Sequence, residues 1–207
     1  MPITNLYSFV KKLQRSLIIW KTLFTLLIFL WCDNVFLKFF PNDSSKIVRN
    51  QEKRAKWFTN ELINLGSAFI KIGQLLSARP DLIPKEWIKE LTKLQDDVPQ
   101  FSFKEVESII KDELNTSFSK IDLLERKPIG SASLAQVHKA FLTDGKEVVF
   151  KVQRPKLRDL FITDLAIMQQ IAFFMQKNKS WSRGRNWVEI AKECRKVLLR
   201  ELDFNCE

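Results

Sequence analysis

Residues 127–155 read KPIGSASLAQVHKAFLTDGKEVVFKVQRP, and the fold turns on how this stretch is read. KEVVFKVQ (146–153) is rich in β-branched and aromatic residues and is short enough for a single strand. Before it, KPIGSASLAQVHKAFL ends in an apolar, alternating run, and TDG (143–145) between them is a turn, with Asp144-Gly145 the favoured hairpin pair. The stretch therefore predicts a β-hairpin over 127–153, with the small residues Gly130, Ser131, Ala132 and Ser133 in a loop at its far end. Alternation puts Val149, Lys151 and Gln153 on one face and Val148, Phe150 and Val152 on the other. A lysine in such a strand either reaches water or meets an anion. Amide N–H groups left open by a loop of small residues can approach phosphate oxygens, although the same loop serves equally as a plain tight turn.

Outward from the hairpin the chain is helical on both sides. Helical spacing runs from about Ile47 to Leu65, and Gly66 then punctuates it. In AFIKIGQLLSARP (68–80) Lys71 and Gln74 lie one turn apart on one face. Gly73 between them allows close approach to another backbone, at a helix-propensity cost of about 1 kcal/mol. Taken alone, Lys71 reads as a partly exposed lysine on an amphipathic helix. Pro84 suits the first turn of a helix with apolar positions Trp87, Ile88, Leu91 and Leu94. Ser102 and Glu105 form a capping box for a helix ending near Leu114. After Pro155, residues 159–177 and 187–207 read as helix again. The class is α+β, helical with one small antiparallel sheet.

Charge is uneven along the chain. Residues 1–60 hold ten Lys/Arg against three Asp/Glu, a net +7 of the chain's +10. Such a segment meets an anionic surface. It is interleaved with long apolar runs, SLIIWKTLFTLLIFLWC (16–32), which suit lipid better than a nucleic-acid backbone. Lys21 leaves only Thr22–Cys32 uncharged, and even Leu17–Cys32 falls short of the roughly 20 residues that a spanning helix needs. The expectation is a helix lying in a membrane surface, with a helix packed on the rest of the protein and a spanning helix as the alternatives, followed by a linker at PNDSSK (41–46). The three cysteines, Cys32, Cys194 and Cys206, form no CxxC or Cys/His cluster, so neither a disulfide framework nor a metal site is expected. His138, the only histidine, falls within a strand and reads as structural.

The order of small-residue loop, strand and lysine is that of a kinase N-terminal lobe, where the lysine contacts nucleotide phosphates and pairs with a helix glutamate. Four segments carry a closer likeness: KIGQ (71–74), GSASLAQVHKA (130–140), VVFKVQRP (148–155) and ELDFNCE (201–207), with LSARPDLIPKEWIKELTKLQDDVP (76–99) beside them. Together they resemble the UbiB/ADCK family of atypical, protein-kinase-like ATPases tied to ubiquinone and other prenylquinone synthesis. The apolar leader resembles cyanobacterial or plastid members.

The resemblance implies an ATP site in which Lys151 holds the phosphates, Glu207 pairs with Lys151, and Gly130–Ser133 form the loop. It implies that Lys71 and Gln74 face Glu201 and Asp203 across an occluded pocket. The family's loop is usually alanine-rich; here Ala132 and Ser133 match, while Gly130 and Ser131 depart from it. Three parts are implied: a membrane-surface helix and linker (1–45), a helical extension (46–126) and a kinase-like N-lobe (127–207) ending inside a helix. No segment resembles the C-terminal lobe with its catalytic-loop Asp and its metal-binding Asp. Mg²⁺ is therefore expected only with a longer protein, and the sequence alone leaves open a non-catalytic, membrane-associated module or an inactive remnant that lacks the metal-binding lobe. Implied partners are nucleotide, a membrane surface, the missing lobe, and quinone-pathway enzymes or lipid intermediates. The implied place is the cytoplasmic face of a prokaryotic or plastid membrane.

Overall fold

A computed structural model describes residues 3–39, 44–81, 83–95, 98–178, 182 and 184–204. Between Ile121 and Gln153 the chain forms a four-stranded antiparallel sheet of β1 (Ile121–Leu124), β2 (Gly130–Ser131), β3 (Ala135–Leu142) and β4 (Glu147–Gln153). β3 is central: β1 and β2 pair along one edge of it and β4 along the other. The expected hairpin is β3–β4, and it turns through the expected Thr143-Asp144-Gly145. Leu142 N–H donates to the Lys146 carbonyl at 2.9 Å, and Gly145 N–H to the Leu142 carbonyl at 2.8 Å. These bonds bracket the three-residue type of hairpin loop. β1 lies outside the sequence expectation. Four residues carry too little alternation to announce a strand, and pairing to β3 is what makes them one.

The chain's described helices are α1 (Ile3–Phe39), α2 (Ser44–Leu65), α3 (Ser67–Ser77), α4 (Lys85–Thr92), α5 (Phe103–Leu114), α6 (Leu157–Lys177) and α7 (Trp187–Arg200). α5 covers one face of the sheet, where Val106 and Ile110 pack with Val152 and Phe150. It starts at the expected capping box: Glu105 N–H donates to Ser102 Oγ at 3.3 Å and Ser102 N–H to the Glu105 carboxylate at 3.1 Å. The other sheet face, with Lys139, Val149 and Lys151, is more exposed, so the alternation read from EVVFKVQ holds.

The remaining helices share a larger core built on Ile19, Leu62, Phe69, Leu91, Leu94, Phe161, Leu165 and Leu198, which Leu134 joins from the β2–β3 connection. Gly66 turns the chain from α2 into α3 with φ at +89°, a region that favours glycine. Gly73 sits where α3 meets α2 and α4, but the close neighbours are side chains rather than the expected backbone. A Cβ there would stand 2.3 Å from Leu94 Cδ1 and 2.9 Å from Leu62 Cδ1. Pro84 is the residue before α4 rather than part of its first turn.

Three expectations about the helices change. The helix expected over 187–207 stops at Arg200, with Glu201 and Leu202 in a turn. Residues 41–43 of the expected linker lie outside the described residues, and Ser44–Lys46 already belong to α2. The apolar N-terminal segment is part of one continuous helix, α1, in which Phe9–Asp33 is long and apolar enough to cross a membrane by length and composition. One lysine does not interrupt a helix whose other residues continue the apolar spacing.

α1 is seated on the body by one face. The Arg15 guanidinium donates to both carboxylate oxygens of the fully buried Asp164, each at 2.7 Å, and to the Leu65 carbonyl at the end of α2. Burial pushes the Asp164 carboxyl up, while the bonds from Arg15 draw it back.

Candidate functional site

Lys151 lies in the cross-strand row Gly130–Val137–Lys151, which runs over β2, β3 and β4. Gly130 and Ser131 are thus strand β2 rather than loop, and the expected loop narrows to the turn at Ala132 and Ser133; adjacent strands are about 4.8 Å apart, so Gly130 and Lys151 are separated by roughly 10 Å. The loop is held in shape: Ala132 N–H donates to the Ala135 carbonyl at 2.8 Å and Ser133 is buried. Ser131 Oγ is buried with no hydrogen-bond partner among the described residues.

Arg154, one residue past β4, joins loop to strand. Its backbone N–H donates to the Leu134 carbonyl at 2.9 Å. Its guanidinium donates to the Ala132 carbonyl at 3.1 Å and the Pro99 carbonyl at 2.6 Å, and lies 5.4 Å from the Phe101 ring centroid. Burial lowers the pKa of this cation.

A cleft of about 920 Å³ follows the edge of β4 away from β3, with Lys151, Gln153, Arg154, Arg158, Asp203 and Phe204 among its lining residues. Apolar walls come from Ile109 and Leu114 on α5 and from Leu199 and Leu202 at the end of α7. Lys151 Nζ stands 4.5 Å from the Phe204 ring centroid, within cation–π range. The Gln153 amide donates to the Leu202 carbonyl at 3.0 Å and so ties β4 to the end of α7.

Glu201 and Asp203 diverge from this junction. Glu201 pairs with Lys71 on α3, Nζ to carboxylate oxygen 2.7 Å, while Asp203 lines the cleft. The sequence-predicted Lys71 and Glu201 thus meet. Gln74 does not join them: its amide donates to the Leu94 carbonyl at 2.7 Å, which locks α3 to the chain after α4. Among the described residues no part of α3 lines the cleft. Glu207 lies outside the described residues, so its expected pairing with Lys151 does too.

The sequence reading passed over Arg154, Arg158 and Phe204. Nothing in their spacing marks them, and it is the chain reversal at Pro155 and the end of α7 at Arg200 that bring them to the cleft. His138 is structural, as expected: it is buried, with Nδ1 2.9 Å from the Glu125 carbonyl oxygen and Nε2 3.3 Å from Gln136 Oε1. Burial pushes the Cys194 thiol up, away from thiolate chemistry. No group of three His, Cys, Asp or Glu side chains that could hold a metal is found among the described residues.

Residues 93–207 match the ABC1 atypical kinase-like domain. The chain belongs to that family. Its relatives include an uncharacterised protein of the cyanobacterium Synechocystis sp., 42% identical over 193 residues, which cover 92% of this chain and 33% of the relative. The chloroplastic Arabidopsis thaliana protein Activity of BC1 Complex Kinase 7 is 40% identical, over 93% of this chain and 28% of its own. A probable protein kinase UbiB of Cellvibrio japonicus is 39% identical, over 70% of this chain and 26% of its own. The ABC1 chain thus spans about a third of the length of these relatives or less. Its family match takes in the sheet, the loop, Lys151, α6 and α7. The expected α+β, kinase-like architecture is therefore the one found, and the relatives are prokaryotic and plastid proteins.

Proposed function

We propose that this ABC1 chain carries the lysine-bearing part of an ATP site, and that the whole protein supports prenylquinone synthesis as an atypical kinase or ATPase. The observation that carries the proposal is the convergence of Lys151, Arg158 and Asp203 in one cleft, with Gly130 in the same cross-strand row as Lys151. A cleft of this size falls within the roughly 300–1,000 Å³ of small-molecule sites. Lys151 supplies a cation for phosphate oxygens, and the small side chains of Gly130–Ser133 leave room beside it. Phe204 and Leu202 offer apolar surface to a base.

In this reading Lys71, Gln74, Glu201 and Asp203 gate the site. The Lys71–Glu201 pair fixes the end of α7 against α3, and Gln74 fixes α3 against the segment after α4. Asp203 is left facing the cleft. Glu207 remains the proposed carboxylate partner of Lys151. Magnesium would arrive with the nucleotide, and its protein ligands belong to the proposal for the longer protein rather than to the described residues. ATP and its metal would supply the transferable phosphoryl group. The residues named here bind and orient.

Titration of the intact chain with MgATP, followed by calorimetry, tests this. Binding is expected, and Lys151→Ala is expected to weaken it about tenfold or more, the worth of one charge-assisted hydrogen bond. Absence of binding by the unmodified chain at millimolar MgATP, or equal binding by the variant, overturns it.

A further inference from the structure

α1 has two apolar faces, and only one is covered. Ile19 and Thr22 are buried, and Arg15 and Asp33 make their contacts on the same side. Phe9, Leu13, Leu17, Phe24, Ile28 and Trp31 recur at helical spacing on the other side, and all six are exposed, Leu17 at 61% and Trp31 at 66%. From Phe9 to Trp31 this stripe is about 33 Å long at 1.5 Å per residue. α6 extends it sideways: Phe174 meets Trp20 and Phe24, ring centroids 5.5 and 6.1 Å apart, and Phe173 beside it is 58% exposed. Lys11, Lys12 and Lys21 are exposed on the same helix. A continuous apolar surface with lysines beside it matches an anionic lipid interface.

The same contacts decide how α1 can meet that interface. α2 runs antiparallel along its covered face. Arg54 bonds to Phe29 and Asp33, Thr22 Oγ1 donates to Glu61 at 3.3 Å, and Arg15 bonds to Leu65. Alongside the apolar window α2 carries the exposed Lys53 and Lys56 and the partly buried Arg54 and Glu61, and the core beneath holds Asp164. A crossing α1 would carry those charges into hydrocarbon, at a cost of several kcal/mol for each. We infer that α1 lies in the plane of an anionic membrane surface without crossing it, with Leu17, Phe24, Ile28, Trp31 and Phe173 in contact with lipid. This inference is independent of nucleotide binding.

Flotation of the full chain with phosphatidylcholine vesicles, with and without phosphatidylglycerol, tests it. The chain is expected to float with the anionic vesicles and to be released by high salt. The triple variant Leu17→Gln, Ile28→Gln, Phe173→Gln is expected to lose at least about tenfold in partitioning with an unchanged melting temperature, because all three side chains already face outward. Single cysteines placed at the exposed polar positions Lys12 and Glu52, near the two ends of α1, in a chain whose own cysteines are serine, are both expected to react with an impermeant maleimide added outside sealed vesicles. Reaction at one end only shows a crossing helix and overturns the inference. So does flotation of the triple variant equal to that of the parent. So does failure of the parent to float, including the case where it self-associates instead and the triple substitution abolishes that association.

Discussion

The helical body and the small sheet solve different problems. In the body six helices close on one core, and its functional-looking lysine, Lys71, is already matched to Glu201 at 2.7 Å. The sheet has a core on one face only, under α5, and leaves an edge, a face and Lys151 at a cleft. The difference teaches where chemistry can happen. Packing in the body leaves an opening of about 120 Å³ between α6 and α7, whereas the sheet borders a cleft of about 920 Å³ with cations beside a rigid support.

The widest gap between the two regions should appear in stability. Phe161→Ala empties a fully buried site in the body and is expected to cost about 3–5 kcal/mol in chemical denaturation. Gly73→Val is expected next, at about 1–3 kcal/mol, because Leu94 and Leu62 must give way. Glu201→Gln breaks a partly exposed ion pair. It should change stability by at most about 1 kcal/mol, and it sharpens the comparison if MgATP affinity moves while the melting temperature stays put. Gly130→Ala, which restores the alanine-rich form of the loop, should be smallest, within about 0.5 kcal/mol, since a Cβ there meets nothing within 4 Å. A Gly130 variant as damaging as the Gly73 one would break the distinction between the packed and the open region.

What was legible in the sequence follows the same division. Alternation in EVVFKVQ gave the strand, its faces and the outward place of Lys151, and local signals gave the α5 cap. These are short-range patterns that the chain writes directly. The Lys71–Glu201 meeting was reached by resemblance, since no spacing rule joins residues 130 positions apart. The destination of Gln74 was misplaced because an i, i+3 pair shares a helix face without sharing a partner. α1 was read too short because a charge count along the chain cannot show that Lys21 projects to solvent from a helix held on its other side. Arg154 is a case of the same kind: its two carbonyl partners come from residues 99 and 132, and only the folded chain assembles them.

The free side of β4 carries one practical consequence. Among the described residues this strand pairs with β3 alone, so its outward amides and carbonyls must be satisfied by water or by another strand. Concentrated preparations of the chain would then be adhesive along one line of the molecule, and a short extended peptide seated against residues 147–153 should keep them dispersed.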